Sequence, residues 1–179
     1  MTAPIEVDIE GRKVRLTNLD KVLYPSGFTK AEVVDYYARI APIAMPHLAG
    51  RCITFRRFPD GTDADGFFEK RCAWHRPDWM QTALDPGDRR DGIHYCRIEE
   101  TAAMVWVATL AAIELHAPMA LVNDLDTPRV LVFDFDPDLT PESASAARWR
   151  LASLRSSTAW ACESGARHLA RRGCKCMCR

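Results

Sequence analysis

Hydrophobic and polar positions alternate near the start of the chain. Ile5, Val7 and Ile9 are interleaved with charges, Glu10-Gly11 makes a turn, and Val14 and Leu16 resume the alternation. This period of two predicts paired β-segments over 4–16. Residues 17–28 read as a loop that ends in the turn residues Pro25-Ser26-Gly27. Thr29-Lys30-Ala31-Glu32 then has the capping-box pattern, with Thr29 as N-cap. Val33, Tyr36, Tyr37, Ile40 and Ala44 share one helical face, predicting a helix that is bent or ended near Pro42 and stopped by Pro46. A strand-like run, Cys52-Ile53-Thr54-Phe55, leads into Arg56-Arg57 and a turn at Pro59-Asp60-Gly61. Phe67-Phe68 stands beside Lys70-Arg71, and a strand there would turn one of the two rings inward. Residues 72–92 show only loop and short-strand character. Tyr95–Ile98 reads as a strand before a buried helix over 101–114, with Met104, Val107, Ala108 and Ala111 beside Trp106 and Leu110. That helix is expected to end at Leu115-His116-Ala117-Pro118. Asp124-Leu125-Asp126, followed by Thr127-Pro128, reads as a turn.

The strongest strand signal is Arg129-Val130-Leu131-Val132-Phe133-Asp134-Phe135-Asp136-Pro137. Both faces begin apolar, which predicts a central, covered strand over 129–135. Asp134 and Asp136 emerge on one face at its end. Two carboxylates so close repel each other, and a hard divalent cation such as Mg²⁺ or Mn²⁺ resolves the repulsion. The alternative is an ordinary polar strand end. The elements together predict an α+β fold, with a mixed or antiparallel sheet flanked by helices.

Composition adds bounds. A chain of 179 residues can bury one core. No apolar run approaches the roughly 18 residues of a membrane span, and no signal-peptide pattern opens the chain, so it reads as soluble and cytoplasmic. Cys52, Cys72 and Cys96 are scattered singly, whereas Cys162, Cys174, Cys176 and Cys178 crowd the end. Net charge is zero, yet from position 148 onward eight Lys/Arg face only Glu163. Residues 1–147 therefore hold an acidic surplus of seven. Within them, Arg12 to Lys30 is locally basic. Lys30 in a helix's first turn opposes the macrodipole, at a cost of up to about 1 kcal/mol. It is either a solvated lysine or part of an anion site, in which Lys21, Lys30, Asn18 and free backbone N–H groups surround one phosphate. Phe67 and Phe68 are either core or a stacking platform for an unpaired base, worth roughly 1–3 kcal/mol per base. His116 beside a proline reads, on its own, as structural.

Four ordered motifs carry a resemblance. They are Leu16-Thr17-Asn18-x-Asp20-Lys21-Val22-Leu23-Tyr24-Pro25 with Thr29-Lys30, Phe67-Phe68-Glu69-Lys70, Glu114-Leu115-His116-Ala117-Pro118, and Leu131 through Pro137. Over residues 5–138 the chain resembles the polymerase domain of bacterial ATP-dependent DNA ligase D, of the archaeo-eukaryotic primase superfamily. The resemblance implies a nucleotidyltransferase of non-homologous end joining that extends broken DNA ends with nucleoside triphosphates, using Mn²⁺ or Mg²⁺. It also implies Ku and a ligase domain as partners, no membrane, and a place with the bacterial nucleoid. By it, Asp134 and Asp136 are catalytic metal ligands, Asn18, Lys21 and Lys30 grip a DNA 5′-phosphate, Phe67 and Phe68 contact the template, and His116 lies near the incoming nucleotide.

The family's domain continues with a K-T-S-G-S-K-G-like triphosphate-binding segment and a third metal carboxylate, and this chain has neither. The expectation is therefore an incomplete primase-like domain over 1–138, with an atypical, poorly packed tail over 139–179 in which 143–155 could form a short helix. Reading the tail's codons in a shifted frame from Arg155 permits the missing K-T-S-G-S-K-G segment, which suggests a frameshift between Asp138 and Arg155. The resulting expectation is impaired or absent nucleotide addition. The alternative is a non-catalytic module that binds 5′-phosphorylated DNA ends. Cys174-x-Cys176-x-Cys178, with His168 or Cys162, fits the usual spacing of structural zinc poorly.

Overall fold

A computed structural model of the protein describes residues 3–85, 92–130 and 132. The chain divides into two compact units, Met1–Arg129 and Val130–Arg179. Only Val130 and Val132 of the second fall among the described residues, so the architecture below is that of the first.

Strands β1 (Ile5–Ile9) and β2 (Arg12–Leu16) form the expected antiparallel hairpin, with Val7 opposite Val14. Its two-residue turn needs positive φ at both positions, and Glu10 (52°) and Gly11 (82°) supply it. Val14 and Leu16 are buried, whereas Ile5 is exposed.

Helix α1 spans Lys30–Leu48 and begins with the full capping box. The Glu32 carboxylate accepts from the Thr29 N–H at 2.7 Å, and Thr29 Oγ1 accepts from the Glu32 N–H at 3.4 Å. The helix does not stop at Pro46. It passes through both prolines, although each removes one ladder N–H. Val33, Val34, Tyr37, Ala41 and Leu48 are buried along its length, and it packs on α2 (Thr101–Thr109), so core contacts lie on both sides of the missing bonds. Tyr36, expected on the inner face, is exposed. Tyr37 is buried because its hydroxyl finds partners inside, donating to the carbonyls of Ala112 (2.8 Å) and Ile113 (3.2 Å). Burial, then the phenols of Tyr24 and Tyr36, pushes its pKa well up.

Helix α2 is shorter than predicted. Residues 102–108 are all buried, and a helix apolar on every side offers no periodic face from which to read its end. The Leu110 and Ala111 N–H groups bond back to Val107 and Ala108. Ala111 then takes φ 54°, and the chain leaves as a strand that includes His116.

Strands β3 (Thr54–Arg57), β4 (Phe67–Glu69) and β7 (Ala112–His116) make an antiparallel sheet in the order β4-β3-β7. Phe68 lies opposite Arg56, Arg56 opposite Glu114, and Thr54 opposite His116, with an irregularity between Arg56 and Arg57. Two further antiparallel hairpins are found among the described residues. They are β5 (Thr82–Asp85) with β6 (Ile93–Cys96), and β8 (Ala120–Leu121) with β9 (Asp124–Pro128). Asp124-Leu125-Asp126 is thus strand, not turn. Of the strand expected over 129–135, Arg129, Val130 and Val132 are described and belong to no strand. Leu131, Phe133, Asp134, Phe135 and the whole of 139–179 lie outside the described residues. Cys72 and Cys96 form a disulfide, and Cys52 is free and buried, its thiol pKa raised by burial above all.

The α+β reading holds. Among the described residues, antiparallel sheets and two helices surround a core that includes Val14, Leu23, Val33, Ile53, Phe55, Ile98, Met104 and Val107.

Candidate nucleic-acid interface

The loop before α1 folds back onto the helix start. Asn18 adopts φ 53°, a left-handed conformation that asparagine tolerates better than most residues. Lys21 donates its N–H to Asn18 O at 3.1 Å, and Val22 bridges Thr29. This places Asn18, Lys21 and Lys30 in one neighbourhood, as the sequence suggested. Part of the expected chemistry is different, however. The N–H groups of Lys30 and Ala31 donate to the carbonyls of Lys21 (2.8 Å) and Leu19 (2.9 Å), and those of Glu32 and Val33 are taken by Thr29. No free N–H remains in that first turn, so an anion would be held by side chains.

Lys30 is the unusual member. It is only 6 % exposed, and among the described residues no hydrogen bond or ion pair holds its ammonium. Burial, then Arg57, then Lys21 lowers its pKa. Lys21 itself pairs with Asp60 at 3.1 Å, but both side chains are well exposed. Such a pair is worth about 0–1 kcal/mol and is readily exchanged for another anion.

Arg57 links this cluster to the aromatic pair. Its guanidinium is fixed by Leu110 O (2.9 Å) and Glu69 (2.9 Å), and it lies 5.3 Å from the Phe67 ring centroid. Arg56 lies 5.0 Å from the Phe58 ring and 5.5 Å from the Phe68 ring. Neither Phe67 (46 % exposed) nor Phe68 (61 %) turns into the core. The expectation of one inward ring fails because β4 is three residues long and edges the sheet. His116 makes a T-shaped contact with Phe68, with centroids 5.3 Å apart, and its Nε2 is 2.9 Å from Glu114. The sequence-predicted Asn18, Lys21, Lys30, Phe67, Phe68 and His116 thus fall into two clusters joined through Arg57.

A family model for the LigD primase-polymerase domain matches residues 29–169. The chain belongs to the LigD primase-polymerase domain family. The matched span includes Lys30, Phe67, Phe68, His116, Asp134 and Asp136. Among relatives, the multifunctional non-homologous end joining protein LigD of Mycolicibacterium smegmatis is 42% identical over 128 residues, 70% of this chain and 17% of that protein. The LigD non-homologous end joining DNA repair protein of Mycobacterium tuberculosis is 39% identical over 136 residues, 70% of this chain and 18% of that protein. A solved polymerase domain of Mycobacterium tuberculosis ligase D, in complex with DNA, superposes with a TM-score of 0.56 at 37% identity, covering 69% of this chain and 39% of that one. The chain therefore spans under a fifth of those LigD proteins and well under half of the solved domain.

Sequence reasoning gave this LigD domain's Arg56-Arg57 pair and Phe58 no role, and it quoted Glu114 as part of a motif without assigning it one. The pair lay in plain sight before a turn, but pairing each arginine with its ring requires the β3–β4 register. Glu114 was placed at the end of the overlong helix, not in the strand where it meets Arg56. Asp134 and Asp136 lie outside the described residues. Among the described residues, no group of three or more His, Cys, Asp or Glu side chains could hold a metal ion. No helix there is long and apolar enough to cross a membrane.

Proposed function

We propose that this LigD primase-polymerase chain engages the end of a broken DNA duplex, holding a 5′-phosphate with Asn18, Lys21 and Lys30 and seating template bases against Phe67 and Phe68. The observation that carries the reading is Lys30, a buried lysine with no ion pair among the described residues, flanked by Lys21 and Arg57. Lys30 is costly to charge beside two further cations, and a phosphate oxygen would give it a charge-assisted acceptor while competing with Asp60 for Lys21. The exposed rings, each beside an arginine, suit base stacking. The solved relative's complex with DNA supports the same reading.

Nucleotidyl transfer is the proposed activity of the domain, with nucleoside triphosphates as substrates, Ku and a ligase domain as partners, and His116 beside the incoming nucleotide. Asp134 and Asp136 are the proposed ligands of Mn²⁺ or Mg²⁺, and two carboxylates in an x-Asp-x-Asp pattern suit such hard cations. A bound cation there would stabilise the leaving pyrophosphate as a Lewis acid.

Fluorescence anisotropy with duplexes carrying a 3′ overhang tests the end-binding reading. A 5′-phosphate is expected to tighten binding about tenfold over a 5′-hydroxyl, in the range of one or two charge-assisted hydrogen bonds. Lys21→Ala/Lys30→Ala should erase that difference. If phosphate and lysines make no difference, the reading is wrong. Primer extension with Mn²⁺, compared with Asp134→Ala, separates nucleotide addition from end binding alone.

A further inference from the structure

Glu114 stands in the wrong place for a surface that binds a polyanion. It is half-exposed, on the same sheet face as Phe68, Arg56 and His116. A negative charge there repels phosphate, so its presence calls for a compensating role. One role is bland: an exposed ion pair worth about 0–1 kcal/mol. The geometry is more specific than that.

Across the three strands, Phe68 opposes Arg56 and Arg56 opposes Glu114, so the three side chains form one lateral row. His116, two residues beyond Glu114, points to the same side. Each carboxylate oxygen of Glu114 has its own partner: Oε1 accepts from Arg56 Nη1 at 3.0 Å, and Oε2 lies 2.9 Å from His116 Nε2. The other ends of both partners meet on one ring. Arg56 lies over Phe68, and His116 makes a T-shaped contact with it. The Arg56 Nε is buried and has no partner, so Glu114 and the Phe58 and Phe68 rings are what fix this guanidinium.

We propose that Glu114 is a positioning residue, clamping Arg56 and His116 against Phe68 so that the platform meets a template base in one preset arrangement. The proposal rests on the reading of Phe68 as a template contact. Its consequence is a sign. A carboxylate that merely sits on the surface weakens DNA binding, so removing it tightens binding and steepens the salt dependence. A carboxylate that sets the platform strengthens binding despite its charge, because ordering the Arg56 and His116 side chains beforehand spares that cost on binding.

The test measures anisotropy of the full chain with a duplex bearing a 3′ thymidine overhang, at several salt concentrations. Glu114→Ala is expected to weaken binding three- to tenfold, and Glu114→Gln, which keeps one carbonyl acceptor, to weaken it less. In an Arg56→Ala/His116→Ala background, Glu114→Ala should no longer weaken binding. The His116 ring protons, shifted by the Phe68 ring current, should move toward free-histidine positions in Glu114→Ala while the rest of the NMR spectrum holds. Tighter binding by Glu114→Ala and Glu114→Gln, with Phe68→Ala still weakening it, would overturn the role of Glu114 alone. No loss on Phe68→Ala would overturn the platform reading and this proposal with it.

Discussion

Burial, then the neighbouring cations Arg57 and Lys21, lowers the pKa of Lys30 below the ordinary lysine value of 10.5. Charging this residue therefore costs more in the folded chain than in the unfolded one. The unfolded state holds more protons between the lowered value and 10.5, so the penalty is full at neutral pH and fades as pH rises through that window. Lys30→Met, of similar shape and without charge, should match or exceed the wild type in thermal stability at pH 7. The difference should narrow toward pH 10.5 in calorimetric scans. Phosphate binding should show the opposite slope in the wild type, falling across the same window as Lys30 loses its proton. A Lys30→Met protein clearly less stable at pH 7 would mean that the lysine serves the fold rather than a ligand. The sequence showed that Lys30 stood against the macrodipole. It could not show that Arg57, 27 positions away, makes it worse.

At the level of elements, the platform depends on a glycine. A Cβ on Gly66 would lie 2.6 Å from the Phe58 ring, which is itself buried. Phe58 would have to move, and Arg56 rests on that ring. Gly66→Ala should destabilise the protein by about 1–3 kcal/mol, as overpacking does. Overhang affinity should also fall, read by denaturant titration and anisotropy together. Unchanged affinity in a destabilised variant would detach Phe58 from the binding surface. What the sequence disclosed at this scale was local. The capping box at Thr29 and Glu32 and the Glu10-Gly11 hairpin turn are written in neighbouring residues, and both formed as read. Where tertiary packing decides, the reading failed. Two prolines did not end α1 because core contacts flank them, α2 gave way to β7 with no polar signal, and β9 formed at Asp124–Pro128 through pairing with β8. The outward pair Phe67-Phe68 belongs here too, since only the sheet's edge position releases both rings.

Over the whole molecule the net charge of zero conceals an acidic surplus of seven in residues 1–147 and an equal basic surplus beyond them. An acidic unit that binds DNA must do so through a local cation cluster, not a long-range field. For the described unit the candidate cations are Lys21, Lys30 and Arg57 in one cluster and Arg56 beside Phe68 in the other. This sets an expectation for salt dependence, because each phosphate neutralised on duplex DNA contributes about −0.9 to the slope of log affinity against log salt. A site of this size should give a slope of roughly −2 to −4 on a 5′-phosphorylated duplex with an overhang. Lys21→Ala/Lys30→Ala should reduce its magnitude by about 1–2, along with the preference for a 5′-phosphate. Binding driven instead by the basic surplus after residue 147 would look different. Its slope would be steep, indifferent to the 5′ group, and unmoved by the lysine substitutions. Anisotropy between 50 and 200 mM salt separates the two, and the second pattern would sink the assignment of DNA-end recognition to the loop before α1.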